Sequence, residues 1–198
     1  MVIRCATSNA HKLAEYELAA PPEWRIVPAG DCDCPETGSS FEENAIQKAL
    51  CYAGHIGAPV FSDDSGLEVD QLGGEPGVNS ARYAGSGASD EENRRRLLER
   101  LHLSPGCGAP RPAARFVCVI ALALPGRLLA TFTGTAEGEI VDTPRGSGGF
   151  GYDPLFYFPP LGRTFAELSP REKLAHSHRG KAFRQMLGWL KLHRAELR

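Results

Sequence analysis

The stretch from Phe116 to Leu124 is nine apolar residues without a break. Such a run is too short to cross a bilayer, and it has the character of a central strand buried on both faces. Pro125-Gly126 then turns the chain, and Leu128 to Thr133 returns beside it as a hairpin. That hairpin puts an antiparallel pair into the sheet. Upstream the order is strand and helix in alternation: Val2 to Thr7, Lys12 to Ala20, Trp24 to Ala29, a helix from Ser40 to about Ile56, and a short strand from Pro59. Alternation of this kind indicates parallel pairing. An α/β fold with a mixed sheet is therefore expected.

The strand from Pro59 delivers Asp63 and Asp64 to its end, followed by Ser65-Gly66. Successive strand side chains point to opposite faces, so the two carboxylates should do different jobs. One would face a metal-bound phosphate while the other hydrogen-bonds the turn, although Asp-Asp-Ser-Gly is also ordinary turn chemistry. Gly66 to Asp70 reads as a second extended piece. Thr7-Ser8-Asn9-Ala10-His11-Lys12 lies between the first strand and the first helix. A helix start there offers backbone N–H groups, a positive dipole end and the Lys12 cation, either as a phosphate cradle or as a plain N-cap by Ser8 or Asn9. Asn44 and Lys48 share a face of the second helix.

Ser40, Ser89 and Ser169 each stand three residues before a Glu, the spacing of a capping box. The helix from Ser89 reaches about Leu101, with Arg94-Arg95-Arg96 as a solvated face. Ser104 to Ala114 is a Pro/Gly-rich intradomain loop. Gly146 to Pro154 packs Phe150, Tyr152 and Asp153 among glycines, which suits close backbone approach to a ligand with an aromatic stacked beside it. No helix opens from that loop, so it is not a dinucleotide fingerprint. The last helix runs from about Gly180 to Ala195.

With 198 residues, 42% of them hydrophobic, the chain can bury a core as one domain, 1–198, with room for two lobes. Its 22 basic and 24 acidic residues argue against a nucleic-acid groove or an anionic membrane surface, both of which favour net positive charge. No signal peptide is visible. The six Cys form no C-x-x-C, and Cys32-Asp33-Cys34 is a weak soft-metal signal. A reduced, cytoplasmic protein is expected.

Six motifs occur in order: Thr7-x-Asn9-x-x-Lys12, Phe41-Glu42-Glu43-Asn44-Ala45-x-x-Lys48-Ala49, Ser62-Asp63-Asp64-Ser65-Gly66-Leu67, Pro76-Gly77-x-x-Ser80-Ala81-Arg82-Tyr83, Gly148-Gly149-Phe150-Gly151-Tyr152-Asp153-Pro154 and Ser177-His178-Arg179-Gly180-x-Ala182. Together they resemble the bacterial-type inosine/xanthosine triphosphate pyrophosphatases, which remove deaminated purine nucleotides. The resemblance implies an elongated α/β domain with a long mixed sheet flanked by helices, two lobes around a central cleft, a Mg²⁺ requirement and a homodimer. Carried over by position, Thr7, Ser8, Asn9, Ala10, His11, Lys12 and Lys48 hold the triphosphate. Glu36 and Asp64 hold metal with Asp63 close by, Asp64 is the general base, and Ser65 sits beside it. Phe150, Gly151, Tyr152, Asp153, Lys173, His178 and Arg179 bind the base. Two rivals share the pattern: a related-fold enzyme for modified pyrimidine or methylated nucleotides, and a non-catalytic nucleotide sensor.

Overall fold

The computed structural model describes residues 2–103 and 110–197. Residues 104–109 of the expected Pro/Gly-rich loop, Cys107 among them, lie outside the described residues. A seven-stranded sheet runs in the order β2-β1-β3-β4-β5-β6-β7. Its strands are β1 (Val2–Ala6), β2 (Arg25–Pro28), β3 (Val60–Val69), β4 (Ala113–Leu124), β5 (Arg127–Ile140), β6 (Phe156–Phe158) and β7 (Arg163–Thr164). β1 pairs in parallel with β2 and β3, whereas β6 pairs antiparallel with β5 and β7. The sheet is mixed, as the hairpin and the alternation require. The helices are α1 (Ala10–Ala19), α2 (Phe41–Ile56), α3 (Asp90–Arg100), α4 (Pro170–His176) and α5 (His178–Leu192). Among the described residues no helix is long and apolar enough to cross a membrane.

The chain divides into two compact units, and β3, β4 and β5 contribute residues to both. The first unit holds residues 1–64, 118–134 and 177–198. Its β1-α1-β2 and β2-α2-β3 crossovers run in opposite directions along the sheet. Right-handed crossovers then place α1 and α2 on opposite faces. Tyr16 of α1 and Phe183, Met186, Leu187 and Leu190 of α5 pack with Ile3, Cys5, Phe61 and Cys118 on one face. On the other face the Ser62 hydroxyl donates to the Ala45 carbonyl of α2. β1 is thus the strand where the order reverses, and ligands of open α/β sheets sit beyond the carboxyl ends of the strands at such a point.

The second unit holds residues 65–117 and 135–176 and has its own core. Leu67 and Val69 of β3, Phe116 of β4, Leu97 of α3 and its C-cap Leu101, and Phe156 and Phe165 meet there. Phe116 and Phe156 lie 4.5 Å apart between ring centres, and Phe165 stacks on Phe116.

Three expectations are corrected here. β3 does not stop at the carboxylates: Asp63-Asp64-Ser65-Gly66 is mid-strand, and the expected second extended piece is its continuation. β4, its neighbour in the sheet, offers a ladder that outweighs the turn propensity of those residues. The thiols are not all reduced, because Cys34 and Cys51 are joined as a disulfide. Ser40 caps α2 by accepting from the Glu43 N–H, but the Glu43 carboxylate takes the Ser39 N–H and hydroxyl instead of closing a box on Ser40.

Candidate active site

Pairing of β1 with β3 ends at Ala6 opposite Ser62, so Asp63 and Asp64 stand one and two residues beyond the end of the parallel ladder. Strand alternation sends them to different helices. Asp63 is fully buried, with the Lys12 ammonium 2.9 Å away and Arg179 Nε at 3.7 Å. The Arg179 guanidinium also binds Glu15 of α1 and is itself buried. Gly134 of β5 makes room for this, since a Cβ there would lie 2.1 Å from the His178 carbonyl oxygen. The first turn of α5 therefore rests directly on the strand. Burial alone would raise the Asp63 carboxyl, but Lys12, Arg179 and Lys48 together hold it well below the usual carboxylate range.

Asp64 faces α2. Its Oδ2 accepts from Asn44 Nδ2 at 2.9 Å, and Asn44 Oδ1 accepts the Gly38 N–H at 2.8 Å. Gly38 belongs to the loop that carries Glu36, so one buried amide holds both that loop and Asp64. A side chain at position 38 would strike Glu43 and Asn44, at 2.6 and 2.8 Å. Glu36 and Lys48 are ion-paired at 2.6 Å. Burial raises Asp64 above the ordinary carboxylate value and Glu36 adds to the rise, against the Asn44 hydrogen bond and the charges of Lys12 and Lys48. Lys48 would be lowered by burial, yet Asp63, Glu36 and Asp64 carry it above the ordinary lysine value. Two neighbouring carboxylates are thus displaced in opposite directions, the usual mark of an acid/base assignment.

Asn9 is the N-cap of α1, its side chain accepting from the His11 and Lys12 N–H groups. Thr7 Oγ1 accepts the Asn9 N–H in turn, which fixes the loop through Ser8 ahead of the Ala10 start of the helix. The expected cap is therefore present, and α1 begins two residues earlier than expected. Ser65 follows Asp64 on β3 and is half-buried. Glu36, Asp63 and Asp64 do not gather into a three-ligand cluster, because Asp63 points into the Lys12–Arg179 ion pair. Among the described residues Cys32, Cys34 and Cys51 are the group of three candidate metal ligands.

The second unit carries the glycine-dense segment. The buried Asp153 carboxylate accepts from the Phe150 N–H at 2.9 Å and from the Lys173 ammonium at 2.6 Å. That ammonium also sits 4.7 Å from the centre of the Phe150 ring. Gly149 adopts φ +69°, and a Cβ there would lie 2.1 Å from Asp153 Oδ2, so the turn requires glycine. Tyr152 is not a stacking platform: it is buried in the core, its hydroxyl donating to the Ser80 carbonyl at 2.8 Å. Phe150 is half-exposed. Asp90 accepts the Gly151 N–H at 2.6 Å and Arg94 donates to the Gly151 carbonyl at 2.7 Å, so α3 grips both sides of that residue. Arg94, expected on a solvated face with Arg95 and Arg96, is thus half-buried against the loop while the other two are exposed, and its i, i+4 spacing from Asp90 is the sequence signal for the pair. For Asn44 the sequence signals are its place in the second motif and the helix face it shares with Lys48, neither of which reveals its bond to Asp64. His178 and Arg179, expected with the base-binding segment, belong instead to the first unit at the start of α5, where Ser177 caps the helix.

The sheet order, the capped strand–helix turn and the split carboxylate pair define an α/β protein with an acidic site ringed by lysine and arginine. The sequence profile of the Ham1 family matches residues 3–189, and the chain belongs to that family. It is 50% identical over 190 residues to a Geobacillus kaustophilus protein named dITP/XTP pyrophosphatase, covering 91% of this chain and 90% of that one. A Thermus thermophilus protein of the same name is 48% identical, covering 94% and 90%. Among solved structures, a HAM1 protein from Coxiella burnetii superposes with a TM-score of 0.85 at 43% identity, covering 96% of this chain and 98% of its own. A nucleoside-triphosphatase / dITP/XTP pyrophosphatase from Mycobacterium abscessus gives a TM-score of 0.73 at 39% identity, covering 94% and 99%.

Proposed function

We propose that this chain hydrolyses deaminated purine nucleoside triphosphates, dITP, ITP and XTP, to the nucleoside monophosphate and pyrophosphate. The observation that carries the chemistry is the placement of two adjacent carboxylates at the end of the parallel ladder, Asp63 paired with Lys12 and Arg179 and Asp64 held by Asn44. The names of its relatives supply the substrate class.

In this reading Asp64 accepts the proton of the attacking water. Burial raises its proton affinity above that of an ordinary carboxylate, and a carboxylate positioned this way is worth typically ~10²–10⁴ in rate. Lys12, Lys48 and the α1 start take the phosphate oxygens, and the cations now satisfied by Asp63 and Glu36 lie beside the place where charge would build up. Glu36 and Asp64 would hold the metal. The Glu36 charge that adds to the rise at Asp64 would be balanced by a hard cation, and two carboxylates with phosphate oxygens and water suit Mg²⁺. Bound there, the ion would supply Lewis-acid stabilisation of the phosphoryl oxygens. Asp63, expected as a further metal neighbour, is better suited to fixing Lys12 and Arg179.

Phe150, backed by the Lys173 ammonium, would stack on the base, and Asp153 would hold both in place. His178 at the start of α5 would donate to the 6-oxo group that distinguishes hypoxanthine and xanthine from adenine, whereas Arg179, expected beside it, is engaged by Glu15 and Asp63. A homodimer, which the family resemblance implies, and a cytoplasmic location, read from the cysteine usage and the lack of a visible signal peptide, complete the proposal. A nucleotide panel with Mg²⁺, scoring pyrophosphate and orthophosphate separately, tests the reading. Pyrophosphate from ITP, dITP and XTP with little from ATP supports it, and equal turnover of ATP contradicts it.

A further inference from the structure

The loop before α2 and the helix itself bring three sulfur atoms together. Cys34 and Cys51 form the disulfide, and Cys32 Sγ lies 3.4 Å from the Cys34 sulfur and 4.0 Å from that of Cys51. All three residues are half-buried, whereas Cys5 and Cys118 are buried. The nucleotide chemistry above uses none of them. Their placement nevertheless bears on it. Cys34 precedes Glu36 by two residues, Cys51 follows Lys48 by three, and Glu36 is paired to Lys48.

We propose that Cys32, Cys34 and Cys51 form a thiol–disulfide exchange site that sets how firmly the Glu36 loop is held on α2. Exchange proceeds by thiolate attack on a disulfide sulfur, and Cys32 is placed for it. The Cys32 thiolate attacks Cys34 Sγ, the Cys32–Cys34 bond forms as the Cys34–Cys51 bond breaks, and Cys51 leaves as a thiolate that takes up the proton Cys32 gave up. No electrons are gained or lost, yet the covalent tie between loop and helix is gone. Full reduction requires a dithiol, whose two thiols give two electrons and two protons to the cystine and become a disulfide. A disulfide oxidant runs this in reverse. Disulfides in a reducing compartment are usually transient or redox-sensing, which suits a site with its own attacking thiol.

The tie matters because releasing Cys51 frees the loop that carries Glu36. The consequence for turnover rests on the reading of Glu36 as a metal ligand. Full-length protein equilibrated with oxidised or reduced dithiothreitol is alkylated, its peptides are mapped, and activity is titrated with Mg²⁺. Cross-linked Cys34–Cys51 and Cys32–Cys34 peptides are expected in the oxidised sample and three alkylated thiols in the reduced one. The Mg²⁺ midpoint should be about fivefold higher on reduction, the low end of ordinary coupling between sites. Cys51→Ser should show the weaker midpoint in both buffers, and Cys32→Ser should keep the shift but lose the Cys32–Cys34 peptide. Absence of both cross-links, equal midpoints in the two buffers, or a soft metal ion retained by the reduced thiols in native mass spectrometry overturns the proposal. Activity without any divalent requirement in either buffer defeats the metal reading of Glu36 instead, and the peptide map still decides the exchange site.

Discussion

Asp63 and Asp64 are adjacent in the chain, yet one is locked between Lys12 and Arg179 on the α1/α5 face and the other is held by Asn44 on the α2 face. The period of a β-strand produces this separation without any loop. It gives one residue the work of ordering cations and leaves its neighbour with a raised proton affinity.

Asp64→Asn keeps the shape and loses the proton acceptor. Turnover of ITP should fall by about 10²–10⁴, with substrate affinity within about tenfold of wild type. Single-turnover kinetics with a separate binding titration checks both. Retention of a tenth of wild-type kcat would move the base elsewhere.

Asp63→Asn should act on stability first. Removing one charge from a buried cluster leaves its partners uncompensated and costs about 3–5 kcal/mol. Asp63 is held below its unfolded value of about 3.9, so its contribution is present above that pH and is lost as pH falls through the folded value. Urea unfolding at a series of pH values, without divalent ions, should show wild-type stability declining below about pH 5 and a shallower decline in the variant.

Asn44→Ala removes the amide shared by Asp64 and Gly38. A stability loss of about 1–3 kcal/mol is expected from the groups left without a partner. The Asn44 hydrogen bond lowers Asp64, so its removal should move the acid limb of the kcat/KM profile to higher pH. A purely structural role would leave that limb in place.

Phe150 and Tyr152 should separate cleanly. Phe150→Ala loses a stacking surface worth about 1–3 kcal/mol and should raise KM for ITP by about tenfold or more. Tyr152→Phe leaves the Ser80 carbonyl without its donor, a stability cost of about 1–3 kcal/mol, and should leave KM unchanged. Steady-state kinetics beside thermal melts distinguishes the two outcomes.

Much of this was legible in residue order. The apolar run at Phe116, the Asp63-Asp64 pair and the Asn9 cap all rest on local spacing, which the sequence displays directly. What it hid depends on distant partners. Arg179 is expected against the base, and only the fold brings Glu15, far away in sequence, onto its guanidinium. Tyr152 looks like a stacking residue among glycines until the Ser80 carbonyl claims its hydroxyl. Cys34 and Cys51 sit on a loop and a helix with no motif spacing between them. Asp63 to Gly66 has turn composition, and only the neighbouring strands of the sheet keep it extended.

The central claim is that water, deprotonated by Asp64, attacks the α-phosphorus while Lys12 and the α1 start hold the departing phosphates. Hydrolysis of ITP in ¹⁸O-labelled water with Mg²⁺, followed by mass spectrometry of both products, tests it directly. The label should appear in inosine monophosphate and be absent from pyrophosphate. Label in pyrophosphate, or orthophosphate as the first product, would contradict the account.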